Sequence, residues 1–339
     1  MGIQQFLFQG GATLVVALDG SIPANVWTSP DGVAWTNQGT KFGSLNSSAI
    51  GFGRGGFKVK PQLSIAIYTS LDALTWTATS EGTSTSALWE NLEDNGTEWL
   101  VDTEGGFMRR SLDGLGTYAS VSTVLVATPG LVWTGTQWIL VGGSSGAPGR
   151  NPPYMTFSPT GATWTPAPTD QFYSGSSPVQ GLFNIMLLDS GRLITYGANW
   201  LDGVNPNRLG IFYSDDDGAT WTEAGPAVAS PVAVFPRTNV CCTDGGDIVI
   251  ISAEGGFSVP YRIYVSRDAG LTYSFESFGV SLPSGDIAAM AWVVDKFVMI
   301  ARDGSVYTSA DAAFLSWVDA ANGPVNMRNN AMVVGSVPA

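Results

Sequence analysis

Short runs of β-branched and aromatic residues recur along the whole chain, separated by segments rich in Gly, Asp, Ser and Thr. Ile65–Tyr68, Ile211–Tyr213 and Ile287–Val294 are typical runs. Runs of this length and composition, bounded by turn-forming residues, are typical of strands. The pattern therefore predicts an all-β protein. None of the runs approaches the ~20 apolar residues that span a bilayer, so we expect no membrane insertion.

One phrase is repeated seven times along the chain. In its fullest form it reads Ser214-Asp-Asp216-Asp-Gly218-Ala-Thr220-Trp221. The intervals between the leading serines of successive copies are 41, 41, 47, 56, 52 and 43 residues. A period in this range indicates a repeat architecture with one four-stranded sheet per repeat. The leading serines are Ser29, Ser70, Ser111, Ser158, Ser214, Ser266 and Ser309.

The repeated phrase has the character of a hairpin turn, because it follows one β-prone run and leads into another. A second hairpin lies upstream, for example at Leu131–Val141, so each repeat has four strands, A to D, with the phrase between C and D. The turn aspartate can accept hydrogen bonds from backbone N–H groups, and the closing aromatic residue can pack over the turn. We assign this structural role to Asp31, Asp72, Asp113, Asp216, Asp268 and Asp311.

The phrase resembles the Asp-box, or BNR repeat, of sialidase-like β-propellers. The match to Ser-x-Asp-x-Gly-x-Thr-Trp is close in repeat five and looser in repeats three, four and seven. Repeat four has Thr160 in place of the aspartate, and repeat seven lacks the glycine. The resemblance covers nearly the whole chain, and it implies a single seven-bladed β-propeller of four-stranded antiparallel blades.

The repeats divide the chain without an interdomain linker. Residues 321–339 remain after the seventh repeat, and Asn330-Ala-Met-Val-Val-Gly reads as an inner strand. We expect this tail to return to the first blade and close the propeller, which would remove an open sheet edge; docking on another subunit is the alternative. The expected blades span about 1–40, 41–81, 82–122, 123–170, 171–229, 230–280 and 281–320.

Composition excludes several classes of function. The chain has 15 basic and 28 acidic residues, a net charge of −13, which repels phosphate backbones, so nucleic acid is not an expected partner. It has no histidine, which excludes Ser-His-Asp catalysis and histidine-ligated metals.

Cys241 and Cys242 are adjacent and are interpreted as small, half-buried residues rather than a vicinal disulfide. Residues 1–10 have no basic start and no apolar stretch of signal-peptide length, so we expect no secretory signal there.

The sialidase resemblance implies an arginine cluster, a tyrosine nucleophile assisted by a glutamate, and an aspartate acid/base. That family takes one arginine from a Phe-Arg-Ile-Pro-like motif in the first blade. Here the first arginine is Arg54, in the second expected blade. We therefore expect no enzyme activity and assign no catalytic residue, metal or cofactor; a sialidase-like glycan-processing enzyme is the alternative.

Two other groups of residues are interpreted structurally. The densest acidic stretch lacks calcium-loop spacing and is interpreted as a solvated hairpin rim, and Asp215–Asp217 lie within a repeated turn. Trp99 and Trp138 begin expected B strands and should pack between blades. The acidic stretch comprises Glu90, Glu93, Asp94, Asp102 and Glu104.

The candidate ligand-binding surface lies opposite the repeated turns. In a four-stranded blade the B–C and D–A connections share the face on which propellers usually bind ligands, and the long B–C insertions are 143–154, 199–208 and 254–261. Loops on a rigid scaffold are where recognition concentrates. The candidate residues are Arg150, Asn151, Tyr154, Asn199, Trp200, Asp202, Asn205, Arg208, Glu254 and Tyr261.

These observations favour a non-catalytic structural or adhesion propeller. Turn phrases such as Trp27–Thr36 are similar to those of propeller proteins in bacteriophage virions, which implies a tail or host-recognition component. Its partners would be other virion proteins, or a glycan or protein on the host surface. The virion is the expected location and the extracellular space the alternative. A bacterial or plastid assembly factor is a weaker alternative, because four lysines hardly suffice for a basic patch.

Overall fold

The computed structural model describes most of the chain as β-strands and turns. Thirty strands and no helix occur among the described residues, so none of these residues forms a helix that is long and apolar enough to cross a membrane. The described residues are 12–45, 47–61, 64, 66–80, 91–103, 107–112, 119–122, 127–143, 154–168, 170–174, 177–179, 181–199, 208–225, 235–254, 262–276, 287–310, 317–325, 327 and 332–337.

The described strands form seven four-stranded antiparallel sheets and one two-stranded hairpin. This confirms the predicted fold class, a seven-bladed β-propeller, with strands A to D of each sheet lying side by side in that order. The A–B and C–D turns lie at one end of each sheet, which we call the turn end. The B–C connections lie at the opposite end, which we call the loop end.

One compact unit comprises Ile3–Val121 and Val280–Ala339 and contains the first, second, third and seventh sheets. Val16, Phe57 and Val298, from three different strands, are fully buried in its main core. Its strands are β1 (Ala12–Leu18), β2 (Asn25–Ser29), β3 (Thr36–Thr40), β4 (Ser47–Gly53), β5 (Gly56–Pro61), β6 (Ala66–Ser70), β7 (Thr77–Ser80), β8 (Leu92–Asp94), β9 (Trp99–Thr103), β10 (Phe107–Ser111), β11 (Ala119–Ser122), β26 (Ile287–Val293), β27 (Lys296–Ala301), β28 (Ser305–Ser309), β29 (Val318–Asn322) and β30 (Met332–Val337).

The second compact unit comprises Met1–Gly2 and Ser122–Gly279 and contains the fourth, fifth and sixth sheets. Ile139, Leu193 and Phe212 are fully buried in one of its cores. Its strands are β12 (Ala127–Trp133), β13 (Trp138–Gly143), β14 (Tyr154–Ser158), β15 (Thr165–Pro166), β16 (Tyr173–Ser174), β17 (Ser177–Pro178), β18 (Leu182–Leu187), β19 (Leu193–Asn199), β20 (Arg208–Ser214), β21 (Thr222–Glu223), β22 (Phe235–Cys242), β23 (Val249–Glu254), β24 (Arg262–Ser266) and β25 (Ser274–Glu276).

The first sheet contains strands from both ends of the described chain. Its order is β3-β2-β1-β30, so β30 is the A strand and β1 the B strand. The two strands pair antiparallel from Ala12 opposite Val337 to Ala17 opposite Met332. The apolar run that follows Asn330 therefore supplies the inner strand of the first sheet.

Candidate interaction surface

The repeated turns at the turn end are built around their aspartate side chains. In the second sheet, Oδ1 of Asp72 accepts hydrogen bonds from the Ser70 hydroxyl at 2.9 Å and from the backbone N–H groups of Leu74 and Thr75 at 2.8 Å. These hydrogen bonds, that of Thr75 first, hold the pKa of Asp72 below its usual value. Asp31 accepts the same three kinds of hydrogen bond in the first sheet. Both carboxylates therefore order their own turn.

The turns of the fifth and sixth sheets are one residue longer and use both carboxylate oxygens. Oδ1 of Asp216 accepts from the Ser214 hydroxyl at 2.8 Å and from the Thr220 N–H, also at 2.8 Å, while Oδ2 accepts from the Thr220 hydroxyl at 2.5 Å. Asp268 is bound in the same way. A carboxylate that accepts so many hydrogen bonds from its own turn has little capacity left for a ligand.

The closing tryptophans of these turns are structural as well. In four of the turns the indole N–H donates to the backbone carbonyl three residues earlier, at 2.9–3.2 Å. The indole thus covers the turn and satisfies a carbonyl, as expected for a half-buried aromatic residue with a polar group. The four tryptophans are Trp35, Trp76, Trp164 and Trp221.

The turn of the fourth sheet lacks the aspartate that the leading serine binds in the first, second, fifth and sixth sheets. Thr160 stands where Asp31 stands in the first sheet. The Ser158 hydroxyl, which would donate to that aspartate, is fully buried and has no hydrogen-bond partner among the described residues. A buried polar group without a partner lowers stability.

We expect Thr160→Asp to raise the free energy of unfolding by about 1 kcal/mol, because the new carboxylate would accept from Ser158 and from two turn N–H groups. Asp72→Ala should lower it by a similar amount, because it removes those bonds. Thr160→Ala is the matched control and should be close to neutral. Urea unfolding of the three variants measures the differences, and a Thr160→Asp variant no more stable than Thr160→Ala would contradict this account.

Adjacent sheets are joined at the turn end by side chains that reach across. An A–B turn residue donates to a carbonyl in the C–D turn of the next sheet in three places: Arg54 to Leu112 at 3.0 Å, Gln137 to Asp217 at 2.9 Å and Arg192 to Ala269 at 2.9 Å. Each pair lies within one compact unit. Side chains at the turn end therefore serve to hold neighbouring sheets together.

Four candidate loop residues lie where B–C connections leave or enter a sheet. Tyr154 begins β14 and is half-buried, Asn199 ends β19, Arg208 begins β20 and Glu254 ends β23. Asn199 and Arg208 are direct partners in the register of β19 and β20. The other candidates and two turn aspartates lie outside the described residues: Arg150, Asn151, Trp200, Asp202, Asn205, Tyr261, Asp113 and Asp311.

The best-defined loop at the loop end is the B–C connection of the first sheet, which is organised by Asp19. The Asp19 carboxylate is almost completely buried. It accepts hydrogen bonds from the Asn25 N–H at 2.9 Å, the Asn25 amide at 2.8 Å, the Trp27 indole at 3.1 Å and both the N–H and the hydroxyl of Ser21. Burial raises the pKa of Asp19, but these hydrogen bonds outweigh it, and the net shift is downward. The loop is therefore fixed by an ionised side chain.

This loop presents a large apolar side chain to solvent. Ile22 is 73% exposed, and Val325, in the segment that follows the seventh sheet, is 43% exposed. The two segments touch, because the Gly20 N–H donates to the Val325 carbonyl at 3.4 Å. Val325 also packs on Gly304, in the B–C turn of the seventh sheet, where a β-carbon would lie 2.6 Å from its side chain. The loop ends of the seventh and first sheets thus form one surface, which we call the Ile22 surface.

The Ile22 surface was not among the candidates from the sequence. The signal that could have indicated it is local: Asp19 follows the buried run Val15–Leu18 and is followed within eight residues by Ser21, Asn25 and Trp27. An aspartate with several nearby donors is typical of an ordered turn.

The interpretation of the acidic stretch as a solvated rim was wrong for Asp94, which is only 2% exposed. Its carboxylate accepts from the backbone N–H groups of Arg54 and Gly96. Burial nevertheless raises its pKa. Fully buried Lys58 lies nearby, with Nζ 4.9 Å from the centroid of the Trp99 ring, so opposite charges are buried together between the second and third sheets.

The neighbouring Glu93 is half-buried. Burial raises the pKa of its carboxyl group to about 8, and the carboxylate of Asp94 adds to the shift. Glu98, which was not among these five residues, lies between Asp94 and Asp102 in the sequence and is buried and paired with Arg110. Glu90 and Glu104 lie outside the described residues, and Asp102 is described only as part of β9.

Several arginines in the described part of the chain form ion pairs with carboxylates of the same chain. Arg110 pairs with Glu98, Arg192 with Asp215 at 2.6 Å and Arg267 with Glu276. Among the described residues no group of three His, Cys, Asp or Glu side chains could hold a metal ion.

The two adjacent cysteines are free thiols. Cys241 is buried and Cys242 half-buried. Burial raises the pKa of both thiols, that of Cys242 to about 12. A thiol with a raised pKa stays protonated at neutral pH, and a protonated thiol is a poor nucleophile.

Comparison with known proteins identifies the fold. No protein-family model matches the sequence, and no curated protein matches it. Solved structures do match: Saccharomyces cerevisiae Sqt1 at 11% identity over all of both chains with a TM-score of 0.60, and apo AztD from Citrobacter koseri at 10% identity over 96% of this chain and 98% of that one with a TM-score of 0.56.

A third similar structure is described as YCF48 bound to D1 peptide. It is 13% identical, with 86% of this chain and 90% of that chain covered and a TM-score of 0.54. YCF48 from Cyanidioschyzon merolae also matches, at 14% identity over 80% and 84% of the two chains, with a TM-score of 0.55. At these identities the likeness concerns the fold alone: the chain is similar to β-propeller proteins of the same architecture.

Proposed function

We propose that this protein is a non-catalytic propeller that binds a protein partner at the loop end of its blades. The observation that carries the proposal is the Ile22 surface. A fixed loop loses little conformational entropy on binding, and Ile22 supplies the apolar anchor that protein interfaces bury at their centre. The solved structure of the YCF48 propeller with a peptide supports a protein, rather than a small molecule, as partner.

The long B–C insertions of the fourth to sixth blades are a separate candidate surface, in the second compact unit. Their candidate residues, among them Arg150, Trp200 and Tyr261, combine planar hydrogen bonding with stacking. Asn199 and Arg208, which flank the connection in the fifth blade, lie opposite each other at the loop end. Such residues would also suit a glycan on a host surface.

We place the protein, on the likeness of its turn phrases, in a bacteriophage virion as a tail or host-recognition component. Adjacent tail genes on the encoding genome would support this assignment, and adjacent carbohydrate-utilisation genes would contradict it. The non-catalytic part of the proposal is supported by the arginines, because Arg110, Arg192 and Arg267 are bound to carboxylates of their own chain. Hydrolysis of a fluorogenic sialoside by the purified protein would contradict that part.

Replacing Ile22 tests the binding surface. We expect Ile22→Glu to weaken partner binding at least about tenfold, because it removes a buried anchor and adds a charge that must be desolvated. The melting temperature should stay within about 2 °C, because Ile22 is exposed in the free protein and surface substitutions have small effects on stability. Calorimetric titration with a partner identified by crosslinking to the wild-type protein measures the loss.

Val318→Glu is the matched control, because Val318 is 58% exposed but lies on the edge strand β29, away from the loop end. It should leave binding unchanged. Equal binding by wild type and Ile22→Glu would refute the assignment of this surface.

A further inference from the structure

The A–B turn of the third sheet contains an Asn-Gly pair, Asn95–Gly96. An asparagine followed by glycine deamidates more readily than other asparagines, because glycine has no side chain to hinder attack by its own backbone nitrogen. Gly96 is exposed, and a β-carbon there would meet no described atom within 4 Å. Asn95 is half-buried. The described side chains around the pair therefore do not crowd the glycine.

Deamidation of this pair needs only water. The Gly96 nitrogen loses its proton and attacks Cγ of Asn95, which closes a five-membered succinimide; the Cγ–Nδ2 bond breaks and Nδ2 leaves as ammonia. Water then adds to one of the two ring carbonyls and opens the ring to aspartate or isoaspartate. The nitrogen and Cγ must first come together in a defined geometry, so a turn that fixes both groups slows the reaction.

The turn fixes both reacting groups with hydrogen bonds. The Gly96 N–H donates to the Asp94 carboxylate at 3.0 Å, so the proton that must leave points at Asp94 and not at the Asn95 side chain. Oδ1 of Asn95 accepts from the N–H and the hydroxyl of Thr97 at 2.9 and 2.8 Å, and from the Glu98 N–H at 2.7 Å. Moving Cγ onto the Gly96 nitrogen breaks these bonds, and each of them contributes about 1 kcal/mol.

Arg54 of the second sheet holds the same turn from outside. Its backbone N–H donates to the Asp94 carboxylate, and its guanidinium donates to the Thr97 carbonyl at 3.2 Å and to the Leu112 carbonyl at 3.0 Å. Asp94 precedes the Asn-Gly pair and Thr97 follows it. The contact between the second and third sheets therefore fixes both flanks of the pair.

We propose that Asn95 is a deamidation site that becomes reactive only when this contact between the second and third sheets opens. The rate of modification is then the intrinsic rate of the Asn-Gly pair multiplied by the fraction of molecules in which the turn is open. The site is independent of the Ile22 surface, which lies at the loop end.

The modification would be permanent and would weaken the turn. Nδ2 of Asn95 donates to Oε1 of Glu98 at 3.4 Å, and Glu98 is buried and paired with Arg110. Deamidation replaces this donor by a carboxylate, and two neighbouring carboxylates repel each other. Each opening of the contact that leads to reaction is thereby recorded at residue 95.

The test compares deamidation rates in a mildly alkaline buffer, measured by mass spectrometry of a proteolytic peptide that contains Asn95. A synthetic peptide of sequence Leu92–Val101 gives the intrinsic rate, because it has the same residues without the folded turn. We expect the folded wild type to react at least about tenfold more slowly than the peptide. Arg54→Ala should react at least about threefold faster than wild type, because two hydrogen bonds of its side chain are lost.

Arg192→Ala is the matched control. Arg192 is the A–B turn arginine of the fifth sheet and donates to the Ala269 carbonyl of the sixth at 2.9 Å, in the other compact unit. Its loss should lower stability without changing the rate at Asn95. The second Asn-Gly pair, Asn322–Gly323, is an internal reference, and its rate should be the same in wild type and Arg54→Ala.

Three results would overturn the proposal: a folded wild type that reacts as fast as the peptide, an Arg54→Ala variant that reacts no faster than wild type, or an Arg192→Ala variant that reacts as fast as Arg54→Ala. The last result would mean that global unfolding, and not the local contact, controls the reaction. Arg54→Lys keeps one donor at this position and should react at a rate between those of wild type and Arg54→Ala. If Arg54→Ala does not fold, the rate of Arg54→Lys relative to wild type decides.

Discussion

A chain that lacks residues 332–339 is expected to lose cooperative unfolding altogether. The deletion removes β30, and with it the A strand of the first sheet and its pairing with β1. Met332, Val333 and Val334 are buried in the main core of their unit, and each buried apolar side chain contributes about 1.5–3 kcal/mol. Their sum is comparable to the total stability of a domain, about 5–15 kcal/mol. Differential scanning calorimetry should show no transition.

A shorter deletion, of residues 338–339 alone, is the control and should melt like the full chain. A synthetic peptide of sequence Met332–Ala339, added in excess, should restore a transition to the truncated chain, whereas a scrambled peptide should not. A truncated chain that melts like the full one would show that β30 is dispensable and that the first sheet is stable with three strands.

Glu93→Gln is expected to stabilise the protein, and the gain should grow with pH. The pKa of Glu93 is raised from 4.5 to about 8, so the folded protein keeps a proton there that the unfolded chain releases. Stability is therefore lost as the pH rises from about 4.5 to about 8 and is constant above that range. Glutamine cannot ionise and avoids this loss. We expect a gain of about 1–3 kcal/mol above pH ~8 and almost none below pH ~4.5.

Urea unfolding at several pH values measures this difference. Asp170→Asn is the control for loss of one negative charge, because Asp170 is exposed, and it should give no comparable gain. A stability difference between wild type and Glu93→Gln that does not change from pH ~5 to pH ~8 would show that Glu93 ionises freely in the folded protein.

The repeated turns made the architecture predictable from the sequence. Ser, Asp, Gly and Trp act within a single turn, so their spacing alone indicates a hairpin between strands C and D, and seven copies indicate seven sheets. The same local logic identifies the unusual turn of the fourth sheet, where Thr160 replaces the aspartate and Ser158 has no partner among the residues that the structure describes. Contacts between residues that are close in sequence can therefore be predicted from residue types and their spacing.

The buried charges could not be predicted in this way. Asp94 accepts a hydrogen bond from Arg54, 40 residues earlier, and Lys58 lies under Trp99. No short-range pattern connects these residues, so a dense acidic stretch looked like a solvated surface. The Ile22 surface was hidden for a related reason: Ile22 is an ordinary apolar residue in the sequence, and only the fold shows that it remains exposed.

The most direct test of the account separates the two ends of the blades in one experiment. Asp72→Ala and Ile22→Glu are each measured for free energy of unfolding and for affinity toward the crosslinked partner. We expect Asp72→Ala to lose about 1 kcal/mol of stability with unchanged affinity, and Ile22→Glu to lose affinity with unchanged stability. If Asp72→Ala bound the crosslinked partner more weakly but were as stable as wild type, this expectation would be contradicted, because the turn aspartate would then belong to the binding site.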